Sequence, residues 1–131
     1  MKIIFIIVFH IVITDFCYSQ ENLSSIYDSL VKSADSLSKK EDYSVALKDY
    51  ESAFSIKQTD ELKRKIGYTK YIILAQEEFN ELVKSADSLF KNRDYVGAKK
   101  LYIKSCLIKP TESYVKHRIY EIDVILKEQE E

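Results

Sequence analysis

A general base, a metal ligand or a thiol nucleophile has few places to reside in this chain. His117 lies in the stretch YVKHRIY, and acid-base or metal chemistry there would need a second histidine, a cysteine at ligand spacing or a carboxylate set. None converges on it, so it reads as a surface or boundary histidine. Cys106 follows Tyr102 by four positions with no activating base in view. Gly67 and Gly97 stand alone, so no glycine-rich loop can cradle a phosphate. No catalytic residue, cofactor-binding residue, metal ligand or cofactor is assigned, and the expectation is that the protein is not an enzyme. The enzymatic alternative has Cys106 and His117 as its only handles.

Two short basic runs, Lys63–Lys65 (KRK) and Lys116–Arg118 (KHR), stand in matching places of the chain. Either could meet an anionic partner, but Asp60, Glu61 and Glu112 flank them and solvated helix faces are the better reading. With 20 basic and 21 acidic residues there is no global field to attract nucleic acid or an anionic membrane, so neither is an expected partner. Of the tyrosines, Tyr43, Tyr50, Tyr95 and Tyr102 have packing duties, whereas Tyr71, Tyr114 and Tyr120 have no obvious structural role.

The N-terminal segment differs from the rest. Met1 and Lys2 precede an apolar run from Ile3 to Ile13, broken only by His10 and too short for the roughly 20 residues of a bilayer-spanning helix. One positive charge, a short apolar stretch and then small or polar residues give residues 1–19 the layout of a signal peptide, cut between Ser19 and Gln20. The expected product, residues 20–131, is periplasmic or secreted, with no membrane attachment after cleavage; an uncleaved anchor is the alternative. Lipidation at Cys17 fits poorly because bulky Phe16 precedes it. After cleavage Cys106 is the one thiol, so stability has to come from packing and not from an internal disulfide.

The elements that position these side chains follow from a duplication. The octapeptide LVKSADSL occurs at Leu30–Leu37 and again at Leu82–Leu89, 52 positions on. Aligned without a gap, residues 27–60 and 79–112 share 17 of 34 positions: the eight of the octapeptide and nine more, from Lys39/Lys91 to Thr59/Thr111. Tyr27, Leu30, Ala34 and Leu37 fall on one helical face. KKEDY interrupts it, and Asp42, or Asp94 in the copy, is a good N-cap for a second helix. Tyr43, Ala46, Tyr50, Ala53 and Phe54 form that helix's apolar face. Few glycines, one proline and abundant Lys, Glu, Leu and Ile agree with an all-α chain.

The spacing resembles the tetratricopeptide repeat: Leu30, Ala34 and Leu37, then Tyr43, Ala46, Tyr50 and Ala53; in the copy Leu82, Ala86 and Leu89, then Tyr95, Ala98, Tyr102 and Pro110. The 34-residue window agrees with that family's repeat length. Leu replaces the family's Trp in both copies, Ser33 and Ser85 replace a usual Leu, and Gln58 stands where the first Pro belongs. The stretch ADSLFKNRDYVGAKKLYIKSCLIKPTESYVKHRI also resembles units of exported bacterial repeat proteins. The resemblance implies helical hairpins over 27–60 and 79–112 in a short right-handed α-solenoid. It also implies that ligands lie on the concave face of each first helix. By position that face is Asp28, Val31, Asp35 and Ser38, with Asn80, Val83, Asp87 and Phe90 in the copy.

Tandem repeats of that family would recur after 34 residues, yet the period here is 52. The intervening residues 61–78 carry Leu62, Ile66, Thr69 and Ile73 at helical steps. Residues 113–130 carry Val115, Ile119, Ile122 and Leu126 at the same steps, shifted by one. Two hairpin-plus-long-helix units are expected, about five helices after the signal peptide, with 113–130 as a capping helix. A second stripe, Tyr68, Ile72, Ala75, Phe79, Leu82, Ala86 and Leu89, predicts one helix from about Asp60 to Lys91, near 48 Å long. The expected function is an exported, non-catalytic adaptor or scaffold that binds a protein or peptide. A self-assembling structural subunit of an envelope complex, a homo-oligomer, is the alternative.

Overall fold

The structure is a computed structural model that describes residues 2–130, with side chains described from residue 20 onward. The expected signal segment, residues 1–19, lies outside the residues whose side chains are described, as do His10 and Cys17. Among the described residues there are five α-helices and no strand: α1 (Lys2–Lys39), α2 (Tyr43–Ile56), α3 (Asp60–Lys91), α4 (Tyr95–Ile108) and α5 (Ser113–Glu130). None of the described helices is long and apolar enough to cross a membrane.

The chain divides into two compact units, Met1–Tyr71 and Ile72–Glu131, each with its own core. In the first, Ala34 of α1 faces Ala46 and Ala53 of α2, all three without exposed surface, and Tyr50 and Leu62 close around them. In the second, Ala86 of α3 and Ala98 of α4 have the same roles beside Tyr102, Phe79, Val115 and Ile122. Alanine at the crossing lets two helix backbones come close enough for the larger neighbours to interdigitate at interior density. Helix α3 is unbroken, as the sequence predicts, and gives Leu62 and Ile66 to the first core and Phe79, Val83 and Ala86 to the second. The predicted second stripe begins later than Tyr68, which is 61 % exposed.

The one-residue shift of the third helices has a local cause. Helix α2 ends at Ile56 and α3 begins at Asp60, whereas α4 ends at Ile108 and α5 begins at Ser113, so the second loop is one residue longer. Pro110 sits at the second position of a turn closed by the Glu112 N–H and the Lys109 carbonyl, where its fixed φ is favourable. In the shorter loop Thr59 Oγ1 accepts from the Leu62 N–H at 3.2 Å and caps α3, ahead of Asp60 and Glu61 in its first turn.

The expected N-caps differ between copies. Asp94 Oδ1 accepts from the Gly97 N–H at 2.9 Å, while Asp42 makes no such bond to α2. A Cβ at position 97 would lie 2.5 Å from Asp94 Oδ2, so a larger residue there would make the carboxylate shift. Val45 holds that position in the first copy.

Both hairpins turn through a non-glycine residue in the left-handed region, Glu41 (φ 63°) and Arg93 (φ 65°). The Asp42 N–H reaches the Leu37 carbonyl and the Glu41 N–H the Ser38 carbonyl; Asp94 and Arg93 repeat the pattern on Leu89 and Phe90. This is a Schellman closure, whose left-handed position usually holds glycine. Left-handed strain of about 1–2 kcal/mol per residue exceeds the entropy cost of a glycine, about 0.5–1 kcal/mol. Glu41→Gly and Arg93→Gly are therefore expected to stabilise the protein, each by about 0.5–1 kcal/mol. The readout is a higher urea midpoint at unchanged slope.

Candidate functional site

Each first helix carries an aspartate, and each aspartate is bound by the hairpin behind it. In the first unit the Tyr50 hydroxyl on α2 donates to Asp35 Oδ1 at 2.6 Å. Lys65 on α3 donates to Oδ1 at 2.7 Å and Oδ2 at 3.0 Å, with its ammonium 5.7 Å from the Tyr50 ring centre. Partial burial works against ionisation of Asp35. The bonds from Lys65 and Tyr50, with the charges of Lys65 and Lys39, outweigh it and hold the carboxyl below its ordinary value. Burial first, then the bond and charge of Asp35, push the Tyr50 phenol well above its ordinary range.

The second unit repeats the link with a different third donor. Asp87 Oδ1 accepts from the Tyr102 hydroxyl of α4 and, at 2.7 Å, from the Tyr114 hydroxyl of α5. Arg118 Nε donates to the Tyr114 oxygen at 3.2 Å, and its guanidinium pairs with Glu121 at 2.9 Å and lies 4.5 Å from the Phe90 ring centre. The Tyr102 phenol is raised by burial, then by Asp87 and Tyr114. The bonds to Tyr114 and Glu121 raise Arg118 further, against partial burial. Lys65 and Arg118 close the two basic runs. Lys63, Arg64, Lys116 and His117 are exposed.

The eight candidate face residues fall into two sets and two outliers. Asp28, Val31 and Asp35 line a shallow groove of about 430 Å³ along α1 with Lys32, Ser36 and Lys39. Asn80, Val83 and Asp87 line one of about 430 Å³ along α3 with Phe79, Lys84, Ser88 and Lys91. Five positions are identical between the grooves: Val31/Val83, Lys32/Lys84, Asp35/Asp87, Ser36/Ser88 and Lys39/Lys91. Ser38 is half-buried beside the first groove. Phe90 packs on the second core, its ring 5.5 Å from that of Tyr95.

Val31 and Val83 are shared between groove and core, and the aspartates are engaged from behind. The freely exposed groove residues common to both copies are thus the lysines and the serines, which lie outside the eight positions that the family resemblance implies. None of Lys32, Lys39, Lys84 and Lys91 forms an ion pair among the described residues. The signal that could have found them was exposed identity within the repeat, where packing demands nothing.

Cys106 is a free, half-buried thiol packed on the second core, at the position where the first copy has Phe54. Tyr114 has a structural role after all, whereas Tyr71 and Tyr120 are 66 % and 68 % exposed. Comparison with known protein families, curated proteins and solved structures finds no match.

The folded chain favours ionised Asp35, so the unfolded chain binds that proton more tightly. Its stabilisation is complete above a carboxylate pKa of about 3.9 and is lost as pH falls through the folded value. The phenols run the other way: their stabilisation is complete below about pH 10 and fades as pH rises past it. Urea unfolding across pH is expected to show both limbs. Asp35→Asn should shallow the acid limb, and Tyr50→Phe with Tyr102→Phe the alkaline one. Each phenol removed should cost about 0.5–1.5 kcal/mol at neutral pH.

Proposed function

We propose that the protein is an exported, non-catalytic helical-repeat adaptor of tetratricopeptide-like type, in which the groove of α1 and the groove of α3 each hold an acidic segment of a protein or peptide. The observation that carries this reading is the pair of grooves lined by the same exposed lysines and serines. Leu30, Ala34 and Leu37 are repeated because each hairpin needs them to close; Lys32, Ser36 and Lys39 are repeated with no such duty. Lys32 and Lys39, like Lys84 and Lys91, are seven residues apart on one helix, about 10 Å at 1.5 Å per residue. An extended peptide covers that distance in about three residues, so acidic groups at that interval would meet both ammoniums.

Each exposed ion pair contributes at most about 1 kcal/mol. Val31 or Val83 and the aliphatic lysine stems therefore have to supply apolar contact as well. The signal-like N-terminus supports a destination in the periplasm or outside the cell, and the near-zero net charge weighs against nucleic acid.

A photo-reactive residue placed at Lys32 or Lys84 of the full chain, in intact cells, is expected to capture the same protein from both positions. Lys39→Gln with Lys91→Gln should reduce capture several-fold while lowering thermal stability only slightly. Capture no greater than from Ser44, on the solvent face of α2, would sink the groove reading. If the captured species is a second copy of the chain, the self-assembling alternative replaces it. Mass analysis of the exported product should find Gln20 as its first residue; a chain retaining residues 1–19 overturns cleavage.

A further inference from the structure

Where the two copies share a fold, their differences separate what the fold needs from what it does not. The outer face of α2 carries Ser44, Lys48, Glu51 and Ser55, all exposed. The same positions of α4 carry Val96, Lys100, Ile103 and Leu107, and here Val96 is 69 %, Ile103 47 % and Leu107 80 % exposed. At 100° per residue the three aliphatic side chains fall within about 40° of one another. They point away from Ala98, Tyr102 and Ser105, which are buried in the core. Helix α4 is therefore apolar on two opposite faces, one closed and one open. The first copy shows that the hairpin closes equally well with serine and glutamate there, so the open strip is not a requirement of folding.

The charge around the strip says what could cover it. Helix α2 holds Lys48, Asp49 and Glu51, whereas α4 holds Lys99, Lys100 and Lys104 and no acid. Lys100 and Lys104 run along one edge of the strip and Lys99 along the other. Lys99 pairs with Asp123 at 2.5 Å and Lys104 with Glu78 at 3.5 Å; Lys100 has no ion pair among the described residues. Asp123 and Glu78 of the neighbouring helices match Lys99 and Lys104, which leaves Lys100 as the unpaired charge beside the strip; a second α4 would set its own Lys100 against it, so charge disfavours a second copy. A strip of three side chains over three turns is narrow for lipid insertion, which needs a broad apolar face. It matches the contact line of one helix on another.

We propose that the outer face of α4, Val96, Ile103 and Leu107 with Lys100 and Lys104 along its edge, is a docking site for an acidic amphipathic helix of a partner protein. The site stands apart from the lysine grooves of α1 and α3 and does not rest on them. A helix with leucine-type residues at steps of three and four, flanked by glutamates, would cover the strip and meet the lysines.

The probe is a synthetic helix of about 14 residues with one leucine face flanked by glutamates, titrated calorimetrically into the full chain. Its twin carries lysines in place of the glutamates. The acidic peptide is expected to bind at least about tenfold more tightly than its twin. Binding should fall at least about tenfold in Ile103→Glu with Leu107→Ser. Those substitutions give α4 the residues that α2 already tolerates at the same positions, so the variant should fold and melt like the parent. Equal binding of both peptides, or binding unchanged in the double variant, overturns the proposal. So does flotation with phosphatidylglycerol vesicles, or dimerisation by sedimentation, if either is abolished by the same double variant.

Discussion

A buried tyrosine ring brings a hydroxyl into the core, and that hydroxyl has to find an acceptor. Tyr50 and Tyr102 are 3 % and 0 % exposed, and each donates to the aspartate of the helix opposite. The aspartate then needs compensation for its own partial burial, which the third helix supplies: Lys65 in the first unit, Tyr114 backed by Arg118 in the second. One carboxylate thus ties three helices. The same constraint decides what the outer face can offer, because an aspartate engaged from behind is a poor contact for a ligand, and the exposed lysines on either side of it become the groove's reactive charge.

The hairpins, the third helices and the unbroken α3 were legible in the sequence because they rest on short-range periodicity and on an internal repeat. What was not legible rests on other kinds of information. The Asp35–Tyr50 and Asp35–Lys65 bonds join residues 15 and 30 apart, and Asp87–Tyr114 joins residues 27 apart. Glu41 and Arg93 could not be read as left-handed, since neither residue type favours that conformation and only the Schellman closure imposes it. Tyr68 fitted a helical stripe by spacing and is solvent-exposed all the same.

Differences between the copies have physical causes that can be followed residue by residue. Pro110 lengthens one loop, which moves the third helix by one residue; the aspartate's extra donor then comes from a phenol in place of an ammonium. Asp94 caps its helix through the Gly97 N–H, and Asp42 makes no such bond. These changes alter partners while leaving the closure of each hairpin intact, as expected where the alanine contacts and the tyrosine–aspartate bond set the geometry.

The residues of the repeated LVKSADSL are therefore held by different demands. Leu30, Ala34 and Leu37 are held by packing, and Asp35 by the need of a buried hydroxyl; Val31 is held in part by the core. Ser33 is bonded to Asp49 at 2.7 Å in the first unit, but in the second Leu101 replaces that acceptor and Ser85 is exposed. Lys32 and Ser36 have no such partner in either copy among the described residues. Structure alone would let them drift, as Ser44, Glu51 and Ser55 did on the outer face of the second helix, where the copy has Val96, Ile103 and Leu107. Retention at the groove positions of the first helix, against three changes around the kept Lys48/Lys100 on the outer face of the second, marks two surfaces under different constraints.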